Sequence, residues 1–326
     1  AARAARAADA GRRARGAMAG RMDLLSIRNP AVKELLRLRT GRRRAREKRS
    51  LVLVRGQQMI RTIGEYFRFK EVFTTEGPDA FGQYNAERVV RADKAVLKHV
   101  LFAQNFEAQR HSVRLEKRGE DELVVGTIEQ PLASSFGLGQ ASKDDASEGA
   151  DGPPLRQLLA IDGVKHPDNM GMLLSTAVAL RYDGVFLSGS CIDPFNHKVL
   201  EASQAVHWTL PYRHGSVAEL LHVCARHRLA PCAAQSATAA AGEPGGAQGA
   251  AAPVLVADLP ELDRGRFAGF CLAVGNETRG VSPELLARSR RVALPMSELV
   301  ESLNAGVAGG ALGKPGAKNT RNNGRG

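Results

Sequence analysis

The chain reads GNETRG from Gly275 to Gly280, SPELLARS from Ser282 to Ser289 and VALPMSELVESLN from Val292 to Asn304. The first run follows the apolar stretch FAGFCLAV, so Glu277 stands between two glycines just past an expected strand, Phe267 to Asn276. Far upstream lies a partner segment, IDGVKHPDNMGMLLSTA, from Ile161 to Ala177, which also leaves an apolar strand pattern, Leu158 to Val164, and enters a helical one. Further strands are expected at Asp183 to Gly189, in a short WTLPY, in LAPCAA and at Arg291 to Met296. Helical patterns separate them at Asn169 to Leu180, Pro194 to Val206, Ser216 to His227 and Ser282 to Ser289, with another from Glu301 onward. Strands alternating with helices predict an α/β domain with a mostly parallel sheet covered on both faces. In such sheets ligand sites gather where loops leave the carboxyl ends of strands. GVKHPDNMG, GNETRGVSP and LPMSELVESLN are such loops.

Working outward, a smaller α/β domain is expected over residues 27–135. IRNPAVKELLRL spaces its apolar residues as a helix does, with basic residues on the other face. LVLVRG reads as a strand, QQMIRTIGEYF as a helix and FKEVFTTEG as a second strand. RVVRAD, KAVLKHVLFAQ and DELVVGTIEQP continue the alternation. A Gly/Ser/Asp/Pro-rich linker spans residues 136–154, the second domain spans 155–313, and residues 314–326 form a tail. Within the second domain, residues 233–253 are rich in Ala, Gly and Pro and read as a flexible surface insertion that cannot bury a core.

Charge is concentrated at one end. Residues 1–55 carry 17 Lys/Arg against 4 Asp/Glu, while the remaining residues hold 29 against 30, giving the whole chain its net charge of +12. Such a density calls for a polyanion partner, and Arg42, Arg43, Arg44, Arg46, Lys48 and Arg49 are the candidate RNA contacts. A solubilising tail is the competing reading. Residues 1–22 are rich in Ala and Arg with Asp9 as their one acid, the composition of an import segment. With residues up to 26 they form either that segment or a basic arm, and an organellar, mitochondrial destination is expected ahead of a cytoplasmic one. No apolar run approaches the roughly 20 residues a membrane helix needs, so no membrane partner is expected. Cys191, Cys224, Cys232 and Cys271 form no C-x-x-C pair and suggest no metal site. Aromatic content of 5% argues against a base-stacking sheet as the main recognition device. A dinucleotide-binding dehydrogenase is excluded, because no G-x-G-x-x-G follows the first strand of either domain.

Three ordered runs together resemble the SpoU/TrmH branch of the SPOUT superfamily of RNA 2′-O-ribose methyltransferases. Asp162 to Ser175 is similar to its D-x-x-x-x-P-x-N-x-G-x-x-x-R motif, Gly275 to Gly280 to its G-x-E-x-x-G motif, and Pro295 to Asn304 to its P-M-x-x-x-x-E-S-L-N motif. Residues 27–131 more weakly resemble the ribosomal-protein-like RNA-binding domain that precedes the catalytic domain in many members. The resemblance implies a trefoil knot in the C-terminal segments, S-adenosylmethionine as cofactor, a dimer, and RNA, rRNA or a ribosomal particle, as partner. Carried over residue by residue, it implies catalytic roles for Asn169, Glu277, Ser302 and Asn304, and cofactor contacts for Gly275, Gly280, Leu294, Met296, Ser302 and Leu303.

At two places the chain departs from that pattern. Ser175 stands at the motif-one Arg, and serine supplies neither a fixed positive charge nor a bidentate phosphate fork. After Asn304 come Gly306, Gly309 and Gly310, each costing a helix about 1 kcal/mol against alanine, which weakens the terminal helix. Two readings follow: a methyltransferase, as a homodimer or as a heterodimer whose related partner supplies the Arg, or a catalytically degenerate relative that binds rRNA during ribosome assembly.

Overall fold

The computed structural model describes residues 23–24, 26–40, 50–102, 123–134, 136, 154–235, 254–255 and 266–293. The chain divides into two compact units, Ala1–Gln130 with Phe195–His197, and Pro131–Pro194 with Lys198–Gly326.

In the first unit a five-stranded sheet runs in the order β1-β4-β3-β5-β2. Its strands are β1 (Asp23–Leu24), β2 (Leu51–Arg55), β3 (Phe69–Thr74), β4 (Ala86–Ala92) and β5 (Val125–Glu129). β1, β4 and β3 pair in parallel, and β5 runs antiparallel to both β3 and β2. Among the described residues three α-helices accompany it: α1 (Pro30–Thr40), α2 (Gln57–Gly64) and α3 (Lys94–Phe102). The expected alternation of strand and helix is present. β1 corrects the reach of the basic arm: Asp23 and Leu24 pair with Arg91 and Ala92, and Leu24 is buried in the core. Helix α1 turns Val32, Leu35 and Leu38 inward, against Val96, Leu97 and Val100. The Arg39 guanidinium donates to the Val100 carbonyl at 2.8 Å.

The second unit is built on a seven-stranded sheet in the order β10-β12-β9-β11-β6-β7-β8, every described pairing parallel. The strands are β6 (Gln157–Asp162), β7 (Gly184–Ser188), β8 (Tyr212–Gly215), β9 (Leu229–Ala234), β10 (Val254–Leu255), β11 (Gly269–Gly275) and β12 (Arg290–Ala293). β6 and β7 are buried almost throughout, and β11 over its last five residues, as continuous apolar runs in a parallel sheet should be. Among the described residues four α-helices connect them: α4 (Pro167–Ala179), α5 (His197–Ser203), α6 (Val217–Arg226) and α7 (Pro283–Leu286). Helix α6 starts on a capping box in which the Ser216 hydroxyl accepts from the Glu219 N–H and the Glu219 carboxylate accepts from the Ser216 N–H. Segments from residue 294 onward, on which the expected knot and terminal helix depend, lie outside the described residues.

Several expected boundaries move. WTLPY is not a strand: Trp208 is buried in a 3-10 turn (Val206–Thr209), and pairing begins at Tyr212 opposite Val185. The cause is local. Gln204 and Ala205 both take left-handed backbone angles (φ 52 and 54), which ends α5 and turns the chain before it can extend. β9 continues through Ala234, so the first two residues of the 233–253 stretch belong to the sheet. Phe136, the first residue of the expected linker, is buried with Leu158 and Phe186 in the core of this unit. Helix α7 is a single turn, because the chain must reach β12 at Arg290.

His207 lies inside the fold, with its Nε2 at 3.1 Å from the Pro194 carbonyl. Burial pushes its imidazole down from 6.5 to about 4, while the Pro194 contact and the Asp193 charge oppose that shift. Below pH 6.5 the unfolded chain therefore binds a proton that the folded chain refuses. Stability is expected to fall as pH drops from 6.5 towards 4, and His207→Gln should flatten that window. Urea denaturation at pH 7 and pH 4.5 checks both statements.

Candidate active site

The two decisive loops leave neighbouring strands at the same level. In the sheet register Asp162, the last residue of β6, sits beside Gly275 of β11 on one side and Ser188 of β7 on the other. The Asp162 carboxylate is buried and accepts from the Ser188 hydroxyl at 2.9 Å and from the Ser282 N–H at 2.8 Å. One carboxylate thus ties β7 to the start of α7 and holds three strand ends in line.

Beyond Asp162 the chain turns at Gly163 (φ 70) and enters α4, with His166 at the N-cap and Pro167 at the first helical position. The helix therefore starts two residues before Asn169, where the helical pattern was expected to begin. Asn169 lies in the first turn with its side chain buried, and its Nδ2 donates to Glu277 Oε1 at 2.8 Å, across 108 residues of sequence.

Beyond Gly275 the chain makes a tight loop closed by reciprocal backbone bonds between Asn276 and Gly280, at 2.9 and 2.8 Å. The loop needs both its glycines. A Cβ on Gly275 would lie 2.0 Å from the Gly280 carbonyl carbon, and Gly280 itself has φ 68. Within the loop Asn276 Oδ1 accepts from the Thr278 and Arg279 N–H groups, each at 3.1 Å. Its Nδ2 donates to the Gly163 carbonyl at 3.1 Å and to Glu277 Oε2 at 3.0 Å.

Glu277 is thus held through both oxygens by side-chain amides. Desolvation alone would raise its carboxyl. The Asn169 amide, the backbone N–H groups of Glu277 and His166, and the His166 charge outweigh that and hold it below the usual carboxylate range. It is an anion at neutral pH and a weak base, suited to orienting a donor rather than to taking its proton. Cys191, on the loop after β7, is unsuited to nucleophilic work. Burial, together with the Asp162 and Glu277 charges, pushes its thiol up to about 11 against the opposing backbone N–H groups of Gly163 and Val164.

Of the residues singled out by sequence, Asn169, Gly275, Glu277 and Gly280 come together here. Ser175 faces elsewhere on α4: its hydroxyl donates to the Gly171 carbonyl at 2.9 Å, one turn back, and lies 3.4 Å from the Ser203 carbonyl at the end of α5. Gly171 belongs to the same contact, since a Cβ there would come within 2.5 Å of Ala202 Cβ. Leu294, Met296, Ser302, Leu303 and Asn304 lie outside the described residues, as do Arg42, Arg43, Arg44, Arg46, Lys48 and Arg49. Sequence reasoning gave no site role to Ser188, Asn276 or Ser282, and took Asp162 only as the start of the first motif. For Asn276 and Asp162 a signal was present: each is a short polar side chain at the carboxyl end of an apolar strand, beside a glycine, where side-chain-to-backbone bonds shape turns.

A family model described as the SpoU rRNA Methylase family matches residues 156–313. An uncharacterized tRNA/rRNA methyltransferase of Synechocystis sp. is 29% identical over 163 residues, 49% of this chain and 53% of that protein. The 23S rRNA (guanosine(2553)-2′-O)-methyltransferase RlmP of Bacillus subtilis is 30% identical over 158 residues, 48% of this chain and 56% of that protein. The chain spans about half the length of these curated relatives. An AdoMet-bound rRNA methyltransferase from Sinorhizobium meliloti shares the fold with a TM-score of 0.63, over 90% of this chain and 95% of that one, at 19% identity. The level strand ends and the glycine-bounded Glu277 loop both fall within residues 156–313, the stretch of this chain that is similar to the SpoU rRNA Methylase family.

Proposed function

We propose that this chain is an RNA 2′-O-ribose methyltransferase of SpoU type that uses S-adenosylmethionine and acts on rRNA. The observation that carries the reading is the Asn169–Glu277 bond, which joins two of the three motif loops at the carboxyl ends of adjacent strands. A parallel sheet presents its ligand site there.

The described residues fit the cofactor. A side chain on Gly275 would run into the Gly280 backbone, so peptide groups line that end of β11. Those two glycines, with Leu294, Met296, Ser302 and Leu303, would hold S-adenosylmethionine, which supplies an activated methyl group when bound. Glu277, kept anionic and fixed by amides on both oxygens, has lone pairs left to accept from a ribose hydroxyl and orient it. Asn169 holds that carboxylate, and Ser302 and Asn304 would complete the shell from the third motif. The first unit and the basic run from Arg42 to Arg49 would grip the RNA backbone, and an organellar, mitochondrial setting suits the Ala/Arg-rich start. The test is transfer of labelled methyl groups to rRNA, followed by digestion to nucleosides. Label in a ribose-methylated nucleoside supports the reading, and label on a base overturns it.

A specific observation favours a second reading, an rRNA-binding assembly factor descended from such enzymes. Where the motif carries Arg, the Ser175 hydroxyl is spent on its own helix backbone. In the methyltransferase reading the missing guanidinium comes from a related partner protomer. Ser175→Arg is then expected to raise transfer by the chain alone about tenfold, the worth of one charge-assisted hydrogen bond. Unchanged transfer, together with no calorimetric binding of S-adenosylmethionine in the presence of RNA, would favour the assembly factor.

A further inference from the structure

We propose that Asn276 is a positioning residue for Glu277, a clamp that locks the Glu277 carboxylate to the turn after β6. The proposal rests on the methyltransferase reading for its consequence in activity, not for its geometry.

Every polar group of Asn276 has a named partner. Its backbone N–H and carbonyl bond reciprocally to Gly280. Its Oδ1 accepts from the Thr278 and Arg279 N–H groups, and its Nδ2 donates to the Gly163 carbonyl and to Glu277 Oε2. The amide can sit only one way round. Flipped, its oxygen would face the Gly163 carbonyl and a carboxylate, and its NH2 would face two N–H donors. One side chain therefore shapes the Glu277 loop, fastens that loop to the β6 turn, and grips the carboxylate opposite the Asn169 contact. Without Asn276 the carboxylate would keep the Asn169 amide and the Glu277 and His166 N–H groups but lose its side-chain donor on Oε2. With both amides in place the carboxylate plane is set.

The two functions of Asn276 can be separated by Asn276→Asp. Aspartate keeps an oxygen for the Thr278 and Arg279 N–H groups, so the turn survives. It replaces the donor to Glu277 and Gly163 with an acceptor, setting one carboxylate against another. The other groups that bear on Glu277 are His166 and Asn169 from α4, and Cys191 from the loop after β7, which also senses the Asp162 charge. Lys165, Asp168 and Arg279 flank these in the chain, and all of them are unchanged by the substitution.

The experiment is carbon-detected NMR titration of full-length protein labelled at glutamate carboxyls, with the Glu277 signal identified by its loss in Glu277→Gln. The Glu277 midpoint is expected to move upward in Asn276→Asp while the Thr278 and Arg279 amide signals hold their positions. In the unaltered chain, the Asn276 side-chain amide should follow pH with the Glu277 midpoint. Methyl transfer should fall about 100-fold in Asn276→Asp, and the same change should add no further loss on a Glu277→Gln background. An unmoved Glu277 midpoint, or an Asn276 amide that ignores the Glu277 titration, overturns the proposal. Should the unaltered chain transfer no methyl group even when purified with the chain that accompanies it, the functional reading fails while the titrations still decide the role of Asn276.

Discussion

Glu277→Gln is expected to reduce methyl transfer about 100-fold or more while the chain remains folded. The Glu277 carboxylate receives Asn169 Nδ2 on one oxygen and Asn276 Nδ2 on the other, at 2.8 and 3.0 Å. Glutamine offers one oxygen and one NH2, so whichever way it turns, one donor faces another. That mismatch costs about 1–3 kcal/mol locally, and the side chain swings away from one amide to relieve it. The charge is lost as well, and with it the strong acceptor for a ribose hydroxyl. Because the group is exposed at its edge, thermal unfolding should move by only a few degrees, roughly the scale of that local cost. Methyl transfer and a melting curve on the same preparation check the two halves. A variant that transfers at the normal rate would remove Glu277 from the chemistry.

Gly275→Ala is expected to destabilise the second unit by about 3–5 kcal/mol, from overpacking and from the loss of two backbone bonds. The new Cβ would meet the Gly280 carbonyl carbon at 2.0 Å, the Val281 nitrogen at 2.1 Å and the Gly280 oxygen at 2.2 Å. All three are backbone atoms, so no side chain can turn aside, and the Asn276–Gly280 closure must open. Gly280→Ala is the control. Nothing lies within 4 Å of its Cβ, and only its left-handed backbone (φ 68) opposes the change, at about 1–2 kcal/mol. Urea denaturation of the pair should rank Gly275→Ala well below Gly280→Ala. Equal stabilities would mean that the loop is looser than its geometry shows.

Much of this architecture was legible in the chain itself. Apolar runs such as LLAID and GFCLAV, short and alternating with helical patterns, read as buried parallel strands, and the polar, glycine-marked loops after them fell where a parallel sheet puts its site. Asn169, Gly275, Glu277 and Gly280 were found because motif spacing singles them out. What escaped was set by tertiary context. Trp208 and Leu210 alternate as a strand would, yet the left-handed pair Gln204–Ala205 has already turned the chain into a 3-10 turn. Asn169 is a common capping residue by type, but the cap fell three residues earlier, which freed its amide for a partner 108 residues away. The sequence marks Asp162 at a strand end but not its partners Ser188 and Ser282, so the buried bracket could not be read from it. That bracket exists only because β6, β7 and β11 end level.

We propose the Asn169–Glu277 pair as the heart of a ribose methyl-transfer site. The most direct test uses the protein purified together with whatever chain accompanies it, incubated with rRNA and S-adenosylmethionine labelled at the transferable methyl. Label is expected in a 2′-O-methylated nucleoside with the unaltered chain, and about 100-fold less with Glu277→Gln. No label in ribose with the unaltered chain, or equal label with both, would contradict it.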